Sequence, residues 1–163
     1  MKTEDDLIIS KKVNLASPKA GAHIVDVSDD FFAKCDRMLS DTDPIFIDDK
    51  YDDHGKWMDG WESRRKRVEG NDWAIIGLGG RCSVQEIIID TSHFTGNYPP
   101  AGSLDFPSKN VYEKGSMGWQ TLLEKHPLKG DQVNEFKPKT NENVTFVKLN
   151  IFPIELDVIF LNF

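Results

Sequence analysis

Short apolar runs alternate with turn-forming residues along the chain, and strand-like segments outnumber helical ones. His23–Val27 mixes apolar and polar positions, with Ile24, Val25 and Val27 expected inside. Asp72–Leu78 reads D-W-A-I-I-G-L and ends at Gly79-Gly80, a turn signal. Gln85–Thr91 is a β-branched run too short for an independent helix. Asn143–Phe152 is the longest strand candidate, with Thr145, Val147, Leu149 and Ile151 on one face. Short strands cut by Gly, Pro and Asn turns predict an antiparallel sandwich or barrel. Two short helices are also expected: Phe31–Leu39, capped by Ser28-Asp29-Asp30, and Trp119–Lys125 after Gly118. No internal repeat or low-complexity linker is visible. At 163 residues, one domain with a core that needs no metal or disulfide staple is expected.

Two segments read as loops longer than a connection requires. Residues 41–54 carry Asp41, Asp43, Asp48, Asp49, Asp52 and Asp53, with Lys50 as the only Lys or Arg; residues 96–118 are interrupted by Gly96, Pro99, Pro100, Gly102, Pro107, Gly115 and Gly118. Long loops of this kind are either functional or solvated turns. The acidic loop lacks the D-x-D-x-D-G spacing and distal Glu of a calcium loop, so no metal is expected there.

Composition narrows the function class. Hydrophobic residues at 39% and charged residues at 29% fit a globular domain rather than a disordered chain. The net charge of −7 disfavours phosphate polymers, so no nucleic-acid partner is expected. No run of about 18 apolar residues is present, so no membrane span is expected. Cys35 and Cys82 lie 47 residues apart without zinc or CxxC spacing and read as free thiols. Together with the acidic opening Met1–Asp6, they suggest the cytoplasm.

The densest chemistry lies in His54–Arg67. It offers an imidazole (His54), two carboxylates (Asp59, Glu62), two indoles (Trp57, Trp61) and the cationic run Arg64–Arg67. Arg64 and Arg65 can each hold a carboxylate in a two-pronged fork, although a basic run is also the common form of a solvated face. The indoles could wall a pocket, stack on a sugar or simply pack. A second constellation is Asp90-Thr91-Ser92-His93-Phe94-Thr95-Gly96-Asn97, at the end of a strand before a long loop. Asp90 and His93 could pair, or Asp90 could tie down the turn. His23 and His126 read as structural or surface residues.

At these residues the sequence resembles the allantoicase family. The resemblance is carried by Gly55–Arg67, containing D-G-W-E-S-R-R, and by Ile89–Pro100, containing D-T-S-H-F-T-G-N. Val27–Ala33, Asp72-Trp73 and Phe146–Pro153 add to it. It implies a jelly-roll β-sandwich of the galactose-binding-like type, all-β with short helices and long loops. It also implies hydrolysis of allantoate to ureidoglycolate and urea without a cofactor. Full-length members carry two such modules and form oligomers, so a homo-oligomer is expected of the full-length form. Chemical type and motif membership make Glu62 and Asp59 candidates for the base and His54 and His93 for the acid. Arg64 or Arg65 would grip the substrate carboxylate, and Trp61, Asp90, Thr91 and Asn97 are further binding candidates. The competing readings are a sugar- or partner-binding sandwich without catalysis, and an inactive fragment.

Residues 13–153 are expected to form the module, with 1–12 a flexible lead. Residues 154–163 read as a divergent tail, where the family's D-G-G-I-A-R continuation is replaced by Ile154–Phe163. That tail suggests a truncated or alternatively spliced form, and its two apolar faces suggest pairing with another chain.

Overall fold

The computed structural model describes residues 12–115 and 118–154, so the expected flexible lead and divergent tail fall almost wholly outside the described residues. Nine strands are seen among these residues: β1 (His23–Val27), β2 (Tyr51–Asp52), β3 (Gly55–Lys56), β4 (Asp72–Ser83), β5 (Ile87–Asp90), β6 (Ala101–Pro107), β7 (Trp119–Pro127), β8 (Val133–Phe136) and β9 (Asn143–Phe152). Two short 3-10 turns, Pro18–Ala20 and Cys35–Leu39, complete the regular structure. The main sheet is antiparallel with order β1-β4-β9-β6-β7. The antiparallel ribbon β5–β8 contributes Ile87 to a core built otherwise from Ile76, Leu104, Phe106, Leu122, Leu123, Val144, Val147 and Leu149, with Leu39 also packed in. The fold is therefore an all-β sandwich with almost no helix, and its ribbon alternates as a half-buried strand should: Ile87 is buried and Ile88 exposed.

Bulges explain where simple alternation fails. Val25, expected inside, is 37% exposed. It is the extra residue where the β1–β4 register slips between Ile24 and Asp26, so it is displaced from the core face. Leu122 and Leu123 are consecutive yet both buried, which one face of a regular strand cannot provide. Leu104 pairs with Leu123 and Asp105 with Thr121, leaving Leu122 as the bulged residue. In β9, Val147 and Leu149 are buried on the expected face. Val144, three residues before Val147, is also fully buried, because the β4–β9 register shifts between Gly77 and Cys82.

Both expected helices are replaced. Trp119–Lys125 is the edge strand β7, paired with β6. Residues 31–39 form only the 3-10 turn Cys35–Leu39. Asp29 does accept from the Phe31 amide as a cap would, at 3.1 Å. The chain then leaves helical geometry, because Ala33 and Glu62 exchange backbone hydrogen bonds of 3.0 and 3.1 Å and Phe32 N donates to Glu62 O. That bridge takes the donors and acceptor a helix would use. The expected loop 96–118 contains β6, a strand of the main sheet. Its prolines sit outside or at the end of the strand, at 99, 100 and 107, so they do not prevent Leu104 and Phe106 from burying their side chains. The acidic segment 41–54 remains loop until it enters the small β2–β3 hairpin.

One glycine sets a close approach. A Cβ on Gly79 would lie 2.4 Å from the Ala20 backbone oxygen, and the Gly79 amide donates to Leu15 O at 2.9 Å. Gly79→Ala must push the 15–20 segment off β4 and is expected to cost about 1–3 kcal/mol, read as a lower midpoint in urea unfolding. A midpoint unchanged from the parent would show that this contact is absent.

Candidate functional site

The segment 54–67 is held from several sides. The Ala33–Glu62 bridge fixes its backbone at Glu62. Trp61 Nε1 donates to Asp29 O at 2.8 Å, and an Arg37 terminal nitrogen donates to Met58 O at 2.7 Å. Asp59 Oδ2 accepts from the Ile45 amide at 3.0 Å, fastening the acidic loop to the motif. The two indoles are engaged: the Lys50 ammonium and the Arg37 guanidinium lie 4.0 and 5.1 Å from the Trp57 ring centroid, and Trp61 packs against the core.

The second motif follows the end of β5. Asp90 Oδ1 accepts from the Ser92 amide, so this carboxylate ties down its own turn. Of the two readings left open for Asp90, pairing with His93 or tying down the turn, the second is the one observed. His93 takes φ 70°, stacks on Phe46 at 5.9 Å between centroids, and places Nε2 3.1 Å from Pro44 O. A carbonyl oxygen only accepts, so Nε2 carries the hydrogen. Thr91 is buried, and its hydroxyl shares its one hydrogen between the carbonyls of Lys129 and Gln132, at 2.5 and 3.0 Å. Buried Asn134 completes the arrangement, donating to Ile89 O and Lys129 O and accepting from Lys129 N. Thr91 thus shapes the rim from inside instead of facing a ligand. His23 and His126 accept no comparable company; their rings turn back to Gly21 O and Glu124 O.

The two motifs meet. Asn97 Nδ2 donates to Glu62 Oε1 at 3.1 Å, and the Phe94 ring lies against Gly60, where a Cβ would stand 3.2 Å away. Burial pushes the Glu62 carboxyl up, the nearby Asp52 charge pushes the same way, and the Asn97 hydrogen bond partly opposes them; the net shift is upward. The 44%-exposed Phe31 ring is a platform shared by His54, at 4.3 Å between centroids, and the Arg64 guanidinium, 5.2 Å from the ring centroid. Arg64 Nε is bound by Asp29 Oδ2 at 2.6 Å. Arg64, Arg65 and Arg67 are exposed, while Lys66 reaches to 3.6 Å from the buried Asp72. A groove of about 470 Å³ runs along Ser28, Asp29, Arg64–Val68 and Asp72. It is not lined by His54, Glu62, His93 or Asn97, which lie outside it.

The local pattern of the sequence makes Asp29 a cap and Phe31 a helical residue, not site residues. The available signal was their place in V-S-D-D-F-F-A, one of the stretches that carry the family resemblance. Among the described residues no group of three or more His, Cys, Asp or Glu is arranged to hold a metal ion. Cys35 and Cys82 are free thiols; burial, helped by the charges of Asp30 and Asp36, pushes Cys35 up to about 12, so it is not poised as a nucleophile.

This architecture is a jelly-roll β-sandwich of the galactose-binding-like type. The C-terminal domain of a chitobiase from Bacteroides fragilis superposes with a TM-score of 0.50 at 13% identity, covering 83% of each chain, which speaks for the fold alone. The chain belongs to the allantoicase family: the allantoicase repeat matches residues 13–154. A probable allantoicase of Acinetobacter baumannii strain ACICU is 46% identical over 146 residues, covering 90% of this chain and 44% of the relative. The crystal structure of an allantoicase from Saccharomyces cerevisiae matches with a TM-score of 0.73 at 31% identity, over 91% of this chain and 47% of that one. The chain therefore spans about half the length of these relatives.

Proposed function

We propose that this chain is the catalytic repeat of an allantoicase, hydrolysing allantoate to ureidoglycolate and urea. The observation that carries the reading is the Asn97–Glu62 hydrogen bond, which unites the two motifs at a half-buried carboxylate whose pKa is raised. Allantoate bears a carboxylate beside a carbon holding two ureido groups. Water adds oxygen to that carbon as one C–N bond breaks, and the departing nitrogen leaves as urea after taking a proton. Glu62 is the base that accepts the water proton; Asp59 is a weaker candidate, since it holds the Ile45 amide of the acidic loop and not a residue of the second motif. His54, exposed on the Phe31 platform, supplies the proton to the leaving nitrogen more readily than His93, whose Nε2 faces Pro44 O.

Arginine at the rim attracts the anion against a net charge of −7. No helix among the described residues is long and apolar enough to cross a membrane. The two free thiols support a reducing compartment, the cytoplasm, and the family likeness supports a homo-oligomer for the full-length form.

The test is urea release from allantoate, measured across ionic strength. Turnover is expected, with kcat/KM falling severalfold between about 20 and 300 mM salt as the cluster is screened. A flat profile would place the cluster away from the substrate path. No urea release and no allantoate binding would remove the reading.

A further inference from the structure

Resting on the allantoate reading above, we propose that Asp29 is a positioning residue that locks Arg64 on the rim, two residues after Glu62 in the chain, so that Arg64 and not Arg65 grips the substrate carboxylate. The lock has four points. Asp29 Oδ1 accepts from the amides of Phe31 and Arg64, both at 3.1 Å. Oδ2 accepts from Arg64 Nε at 2.6 Å, and the Asp29 carbonyl accepts from Trp61 Nε1 at 2.8 Å. One residue thus ties the platform ring, the indole before Glu62 and the guanidinium after it.

The exposures show which partner is the support and which is the tool. The Asp29 side chain is 14% exposed and that of Arg64 is 64% exposed. Burial alone would raise the Asp29 carboxyl, but the two amides and the guanidinium outweigh it and hold it below the usual carboxylate range, so it stays charged at neutral pH.

A guanidinium can meet a carboxylate through Nε and one terminal nitrogen, or through both terminal nitrogens. With Nε occupied by Asp29, the second edge remains for a ligand. The group is held at its Nε by Asp29 and lies over the Phe31 ring, 5.2 Å from the centroid. Arg65 lines the same groove as Asp29 and Arg64 but has no such carboxylate lock among the described residues. An immobilised fork loses less freedom on binding than a free one, and it points the reacting carbon in a defined direction.

The experiment compares calorimetric Kd values for allantoate and for its carboxamide analogue. The Asp29→Asn variant keeps an oxygen for the two amides but loses the charge that holds Nε. It is expected to weaken allantoate about tenfold while changing the carboxamide less than twofold. The parent's preference for the carboxylate should therefore fall by the same factor. In parallel, Arg64→Lys should lose at least fivefold more of that preference than Arg65→Lys.

An equal loss for both ligands in Asp29→Asn would mean that Asp29 serves only the fold, and it would overturn the proposal. A larger selectivity loss in Arg65→Lys than in Arg64→Lys would also overturn it. The lysine pair decides the matter if Asp29→Asn does not fold. A parent chain that binds neither ligand and releases no urea would instead sink the allantoate reading, and this proposal with it.

Discussion

Replacing Glu62 with glutamine is expected to lower kcat/KM for allantoate hydrolysis by roughly 10²–10⁴-fold, the usual worth of a positioned base. Glutamine preserves the shape and can still accept from Asn97, so the loss isolates proton transfer. The pH profile carries the same assignment. A base works when deprotonated, so the acid limb of kcat/KM should rise through the Glu62 pKa. Burial first, and Asp52 after it, place that limb above the ordinary carboxylate range. Asp52→Asn removes a like charge and should move the limb down. Asn97→Ala removes the hydrogen bond that favours the charged form and should move it up.

Stability should respond oppositely to activity. A carboxyl whose folded pKa is raised binds more protons when folded than when unfolded between the two values. Its contribution therefore diminishes as pH rises through that window. Glu62→Gln should thus be at least as stable as the parent at pH 7 while its activity collapses. Measured kcat/KM within twofold of the parent would exclude Glu62 as the base.

Phe106→Ala is expected to remove about 3–5 kcal/mol of folding stability, a large share of the roughly 5–15 kcal/mol that domains possess. Phe106 is 2% exposed and lies on β6, between β9 and β7 in the main sheet. It belongs to the cluster that joins that sheet to Ile87 of the ribbon. Truncation leaves a void that neither neighbouring strand can close without disturbing its ladder. For a chain of this length the melting temperature should fall by roughly 10 °C. A loss under 1 kcal/mol would show that β6 does not lie at the centre of the core.

The same strand marks where the pattern of residues misleads. Pro99, Pro100, Gly102 and Pro107 around Leu104 and Phe106 look like a loop because local signals weigh breakers heavily. They are tolerated because proline at a strand's end, or before its start, removes no interior ladder bond. Gln85–Thr91 and Asn143–Phe152 were legible because β-branched runs bounded by turn residues have few alternatives. Trp119–Lys125 was not, since a nine-residue strand carrying a bulge at Leu122 shows no clean period of two.

The candidate site divides similarly. His54, Glu62, Arg64, His93 and Asn97 stand out by chemical type and motif, and the structure brings Glu62 and Asn97 into contact. Asp29 and Phe31 were hidden by a reasonable helix cap. Asp90 and Thr91 look like site residues in the sequence, yet one closes its own turn and the other is used inside the rim.

What the amino-acid sequence determined by itself is the all-β character, the likeness to the allantoicase family and the chemical inventory of two motifs. These depend on residue type and short spacing, which the chain carries locally. Only the tertiary structure decided the bulges that return Leu122 and Val144 to the core, the bridge from Ala33 to Glu62 that forbids a helix, and the partners of each charged group. Those outcomes depend on contacts between residues 16 to 69 positions apart, from Asp105 with Thr121 to Gly77 with Phe146. Such pairs exist only after the strands have chosen their neighbours, and a carboxylate's pKa or a guanidinium's direction is set by them.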